Sequence, residues 1–357
     1  MVYLKRQLAA MGVTCEVLNI GSGRRAGAGD AISMRSPWDF VHTVLDSARR
    51  GYHVHHFFNV ESHRAIILAV VATVLTRVVG GSYSIAFIGG PRQRHLGRRS
   101  LWAWINRIPL GAADFLICNN ESVKAALTRA GADERKIYPI ENFHAAQLAD
   151  VGDLPQSVTA FLNTHDPVLA TVVHPRFETG IPHHEIETLL PALDRLRTTH
   201  PSLGCVVVGG SDAVDRYRQL ASAAGMSAAM CFAGELAHEQ CLAVIRQASV
   251  FVRAYLKDGS SSSVREALAL GVPTVASENP QHPVDVLQFT PLDAAQLADA
   301  LRDALSRSGP LRNRLDLQHA VDNDDAHEVE LALLLGRSPG ADGPASATTI
   351  TAANAER

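Results

Sequence analysis

The chain has 357 residues, 46% of them hydrophobic, and a formal net charge of −3. That length suits two domains, each able to bury its own core. The near-balanced charge argues against nucleic-acid binding, and five scattered cysteines without a CxxC pair (Cys15, Cys118, Cys205, Cys231, Cys241) read as reduced, mostly buried thiols of a cytosolic protein.

Residues 2–11 have the pattern of an amphipathic helix stopped by Gly12, and residues 15–20 that of a strand. A doubly wound domain normally opens with a strand and a glycine-rich loop before such a helix. Neither is found here, so the chain is expected to start at a misassigned Met, without a signal peptide. Gly21, Gly23 and Ala26 match a GxGxxA pattern, but no periodic helix follows, which makes residues 21–29 a loop rather than a dinucleotide fingerprint.

Residues 38–50 should be helical, ended by Gly51. Residues 52–59 (YHVHHFFN) should form a strand. Its histidines, His53, His55 and His56, have no Cys or carboxylate at zinc-ligand spacing. The apolar run 65–76, between Arg64 and Arg77, is shorter than the roughly 20 residues a membrane span needs, and predicts a buried core helix.

A strand over 82–87 leads into Ile88, Gly89 and Gly90. Arg92, Arg94, His95, Arg98 and Arg99 follow, close to Trp102 and Trp104. Such a patch suits peripheral contact with an anionic membrane face or a phosphate-linked acceptor. The competing expectation is a solvated loop leading into a helix whose tryptophans enter the core. Strands over 113–119 and 136–140 flank a helix over 122–130, and the first domain should end near residue 145. Residues 143–164, polar and irregular, read as a linker.

The second half alternates in the same way. Strands are expected at 168–173, 205–208, 230–233 and 250–253, with helices at 186–197, 216–224 and 239–247. The Gly209-Gly210 turn would let a nucleotide approach the backbone at the carboxyl end of a parallel sheet. After a helix over 294–305, residues 311–335 should be partly helical. Residues 336–357, low in large apolar side chains, predict a disordered tail.

The most informative stretch is 258–276, DGSSSSVREALALGVPTVA. Ser263 is a natural N-cap, and Glu266 three residues later completes a capping box. Gly271 and Pro273 stop the helix, and a buried strand follows. A Gly-Ser loop opening a helix directs backbone N–H groups and a positive dipole end at one point, a site for a diphosphate. The flanking carboxylates, Asp258 and Glu266, could accept hydrogen bonds from hydroxyls on either side of it. The bland alternative makes Glu266 a capping residue and Asp258 a turn residue beside Gly259.

With Asp258 and Glu266 seven residues apart inside SVFVRAYLKDGSSSSVREALALGVPTVAS, this stretch resembles the acidic-x7-acidic motif of retaining glycosyltransferases of family 4. Asp258 stands where that family usually has Glu. The resemblance implies the GT-B fold, two facing Rossmann-like α/β domains with a cleft between them. The acceptor-side domain would span 1–145 and the nucleotide-sugar-binding domain 146–310. It further implies transfer of a hexose from a nucleoside-diphosphate sugar, with retention, to a glycan, lipid-linked or small-molecule acceptor. The donor is a substrate, and neither cofactor nor metal is expected.

Within that likeness Glu266 would hold the ribose hydroxyls, Asp258 the transferred sugar, and Gly259 with Ser260, Ser261, Ser262 and Ser263 the diphosphate and sugar. The backbone of Gly234 and Glu235 would read the base. Gly89 and Gly90 would lie on the acceptor side, with His56 and Asn59 near the cleft. His174 and Thr179 occupy the places of the family's two basic residues, leaving Arg176 and Arg253 as candidate cations, and Ile88 replaces a sugar-contacting His. These departures, with the missing first strand, favour a rival: a degenerate GT-B protein that binds nucleotide or a partner without transfer. A sugar-nucleotide epimerase of the same fold is a third reading, less supported because that family's acid/base residues are not evident.

Overall fold

The structure, a computed structural model, describes residues 2–19, 31–34, 36–58, 62–87, 95–96, 100–141, 143, 148, 152–173, 185–209, 212–255, 261–311, 324–337 and 350–354. The chain divides into two units, residues 1–142 with 323–357, and residues 143–322. The division falls at 142 rather than 145, and the C-terminal segment belongs with the first unit.

In the first unit the strands are β1 (Cys15–Asn19), β2 (Ile32–Ser33), β3 (His53–Phe58), β4 (Tyr83–Phe87), β5 (Leu116–Cys118) and β6 (Ile137–Pro139). The helices are α1 (Val2–Ala10), α2 (Pro37–Arg49), α3 (His63–Val78), α4 (Leu101–Ile105), α5 (Arg107–Ala112) and α6 (Glu121–Arg129). The second unit holds β7 (Val168–Val172), β8 (Gly204–Val208), β9 (Met230–Gly234), β10 (Val250–Arg253), β11 (Thr274–Ser277) and β12 (Leu287–Phe289). Its helices are α7 (Gln156–Leu162), α8 (Glu185–Arg197), α9 (Asp212–Ala223), α10 (His238–Gln247), α11 (Ser262–Ala269) and α12 (Ala294–Leu311). The chain then returns to the first unit with α13 (Asp324–Leu334) and β13 (Ile350–Asn354).

Two expectations are corrected. The stretch 143–164 is not a plain linker, because α7 forms in it and buries Val158. The expected disordered tail contributes β13, which runs parallel to β1 on one side and β3 on the other. The first sheet therefore has the order β2-β1-β13-β3-β4-β5-β6. A strand drawn from the end of the chain stands between β1 and β3, where the chain reverses its direction across the sheet. Paired on both sides, Ile350–Asn354 places its backbone groups in two ladders, which offsets its poverty in large apolar side chains.

The second sheet has the order β12-β11-β10-β7-β8-β9, with all neighbours parallel. Its four central strands, β7, β8, β10 and β11, are buried on both faces, as continuous apolar runs in parallel sheets require. Leu169, Cys205, Val207, Val250, Val252 and Val275 pack toward α8, α9 and α12. Ala170, Val172, Val206, Val208, Phe251 and Ala276 pack toward α7, α10 and α11. The chain runs outward from β7 through β8 to β9 and returns to β10, on the other side of β7. That reversal is the point at which open parallel sheets bind ligands, at the carboxyl ends of the strands.

Candidate functional site at the carboxyl edge of the second sheet

At the reversal, β10 ends in Arg253 beside β7. The guanidinium is buried, donates from Nη1 to the carbonyl of Val172 (2.7 Å), and lies 4.4 Å from the ring centre of Tyr255. Arg253 thus ties together the two strands that bound the switch point while holding a positive charge there.

The neighbouring strand ends meet through glycines. Gly209, after β8, has φ +146, and a β-carbon on it would collide with the carbonyl oxygen of Val173. Its N–H donates to the carbonyl of Gly234 (2.9 Å), which ends β9 with φ +76. The two turns singled out in the sequence are in contact, and only glycine fits the first. Glu235 follows directly on Gly234.

The helix after β10 opens differently from expectation. Its N-cap is Ser261, in extended conformation, and not Ser263. The Ser261 hydroxyl makes no capping bond; its Oγ lies 3.1 Å from the Oγ of Ser263. Ser262 and Ser263 are the first two helical residues. The expected capping box between Ser263 and Glu266 is therefore absent, because Glu266 sits beyond the first turn, out of reach of the cap. The stop is as read. Gly271 takes φ +73, its N–H bonds to Leu268 O, and the N–H of Val272 bonds to Ala267 O, a Schellman ending.

Freed of a capping role, Glu266 is only 6% exposed and faces α10. Its Oε1 lies 3.8 Å from Nε2 of His238, which is half exposed at the start of α10. Burial raises the Glu266 carboxyl above the ordinary range, opposed by the charges of His238 and then Arg253. A buried carboxyl beside the His238 ring and within the field of the Arg253 charge, near the start of a helix, can accept hydrogen bonds from ligand hydroxyls. His238 is a residue that sequence reasoning missed. It is 28 positions from Glu266, and no local spacing links them.

Asp258, Gly259, Ser260, Arg176, Gly210, Gly89, Gly90 and Asn59, with Ile88, His174 and Thr179, lie outside the described residues. His56 is fully buried within the first unit, its Nδ1 3.1 Å from the Tyr83 hydroxyl. His53 Nε2 and His55 Nδ1 share the Ser84 hydroxyl at 2.6 and 2.7 Å. Burial lowers His53 and His56 to about 4 and His55 to about 3, so all three are neutral at pH 7. Of the cysteines, all free, Cys118 and Cys205 are buried, while Cys15, Cys231 and Cys241 are half-buried. Burial pushes all five thiols up, Cys241, beside Glu266, to about 12. Among the described residues, no group of three or more His, Cys, Asp or Glu could hold a metal ion, and no helix is long and apolar enough to cross a membrane.

Residues 179–318 match the family model for glycosyl transferases group 1. No curated protein sequence matches the chain. Among solved structures, a glycosyltransferase from Rickettsia africae ESF-5 superposes with a TM-score of 0.64, 14% identity and 94% of each chain covered. Sucrose-phosphate synthase from Thermosynechococcus elongatus gives 0.62, with 19% identity and 93% of each chain covered. Anabaena HepE, in complex with UDP-glucose, gives 0.57 at 15% identity over 85% of each chain. At these identities the likeness is one of fold, and the fold is that of GT-B glycosyltransferases.

Proposed function

We propose, on the premise that the second unit carries a glycosyl transferases group 1 domain, that this chain transfers a hexose from a nucleoside-diphosphate sugar to an acceptor hydroxyl. The observation that carries the reading is Glu266, a buried carboxylate with no capping partner, 3.8 Å from His238 and within the field of the Arg253 charge. A carboxylate left buried in this way costs stability, which hydroxyl donors on a ligand would offset. Glu266 would accept from the ribose hydroxyls. The first-turn N–H groups of α11, with Ser261, Ser262 and Ser263, would hold the diphosphate at the positive end of the helix.

As the bond between the anomeric carbon and the phosphate oxygen breaks, negative charge gathers on the leaving diphosphate. Donors fixed in advance stabilise that charge without reorganising. Arg253 is the described cation nearest this task, and Arg176 is the second candidate from sequence. Gly209 and Gly234 would admit the nucleoside to the strand ends, with the backbone at Gly234 and Glu235 against the base. Asp258, Gly259 and Ser260 would complete the sugar side. The family likeness implies attack on the face the leaving group departs from, with retention, and the leaving phosphate taking the acceptor's proton. The reaction so written needs neither metal nor cofactor.

Anabaena HepE has been crystallised with UDP-glucose, which makes UDP the first nucleotide to try. Calorimetric titration with UDP, GDP and ADP tests the reading. One of them should bind at micromolar Kd, and Glu266→Ala should weaken it by roughly tenfold or more. Unchanged affinity in a folded variant would return Glu266 to a structural role. The degenerate reading rests on His174, Thr179 and Ile88 standing where the family has cations and a histidine. Nucleotide binding with neither transfer nor donor hydrolysis would select it.

A further inference from the structure

The first unit carries a surface that the donor reading does not use. Between residues 62 and 113 the sequence has no Asp or Glu and seven arginines (Arg64, Arg77, Arg92, Arg94, Arg98, Arg99, Arg107), in a chain of net charge −3; Arg92, Arg94, Arg98 and Arg99 lie outside the described residues. The described part of this span includes α3, α4 and α5, which pack on one another.

α3 has no charged residue from Ala65 to Thr76. Ala65, Ile66, Ala69 and Ala72 enter the core. The outward side should then be polar, yet it presents Ile67, Val74 and Val78, the last 78% exposed. α4 and α5 add Leu101 and Trp104, 68% and 64% exposed, and Ile108. Among the described residues eleven large apolar side chains are exposed, and six of them lie on these three helices. Arg64 and Arg107 are exposed on the same helices, while Arg77 pairs with Asp114.

We propose that this face seats the chain on an anionic lipid bilayer, the apolar side chains and Trp104 entering the headgroup boundary while Arg64 and Arg107 meet lipid phosphates. A protein partner could cover the apolar side chains, but it would have to bring acid to Arg64 and Arg107, in a span without Asp or Glu. A phosphate surface does so uniformly. The proposal does not depend on the donor site.

The test is co-sedimentation of the full chain with vesicles of phosphatidylcholine alone or with about 30% phosphatidylglycerol, at about 0.1 M salt. Anionic vesicles should bind at least about tenfold better, since each arginine at the surface contributes roughly fivefold. Brominated lipid should quench the fluorescence of α4, which carries Trp102 and Trp104, in a Trp38→Phe background. The pair Leu101→Asp and Trp104→Asp should remove binding and Arg107→Glu should weaken it about fivefold or more, with Val284→Asp, on the second unit, as a neutral control. Equal partition on neutral and anionic vesicles, or undiminished binding by the paired variant, would overturn the proposal. So would self-association that the pair abolishes in a chain that ignores vesicles.

Discussion

Nε2 of His238 stands 3.8 Å from Oε1 of Glu266, joining the first residue of α10 to a carboxylate buried within α11. The N-caps of the two helices are other residues, Ala237 and Ser261. The carboxylate is retained at an energetic cost, with its carboxyl raised by burial, and this cost is what makes it readable as a ligand contact.

A pH dependence follows. A group whose folded-state affinity for protons exceeds its unfolded value stabilises the fold at low pH, and loses that contribution as pH rises through the folded pKa. Glu266→Gln should therefore be more stable than the parent at pH 8, and the difference should vanish toward pH 4. Thermal unfolding across that range, beside nucleotide titration, separates a gain in stability from a loss of binding.

Gly209→Ala forces a side chain at φ +146 against the carbonyl oxygen of Val173. A loss of about 2–4 kcal/mol in urea unfolding is expected. Gly12→Ala, at φ +77 with nothing within 4 Å, should cost only about 1 kcal/mol. Equal losses would mean that close approach at Gly209 has no weight.

The first unit should be acid-labile. His53, His55 and His56 are held at about 4, 3 and 4 by burial, below the ordinary 6.5. Their neutral burial contributes in full above pH 6.5 and is lost as pH falls toward 4, because the unfolded chain takes up the protons. All three tryptophans, Trp38, Trp102 and Trp104, belong to this unit, so their fluorescence reports it alone. His55→Gln should flatten the pH 6.5 to 4 loss.

Ending the chain at residue 349 removes β13 and opens β1 and β3 along facing edges. The tryptophan transition should fall by at least about 3 kcal/mol, from unpaired backbone groups inside a sheet. Nucleotide binding, which draws on the second unit, should persist. An unmoved transition would show that the strand adds nothing to the first unit.

Much of this was legible from residue order. Alternating apolar runs and glycine stops predict the strands and helices on both sides of Glu266, and the Gly271 ending appears where it was read. The start of α11 was not. Four successive serines can each stand at a helix N-cap, and only the folded chain shows that Ser261 takes that position. α7 was hidden in a polar stretch, because the burial of its Val158 comes from the sheet it packs on.

The chain's own sequence determined that there are parallel α/β units and that the helix after β10 carries a carboxylate at a fixed distance from a serine run, because periodicity and turn chemistry are local. Tertiary structure alone decided that residues 350–354 are a strand, and that Glu266 faces His238 and Arg253 rather than its own cap. Those outcomes depend on partners far away along the chain, which supply the hydrogen bonds and the charges that local composition does not contain.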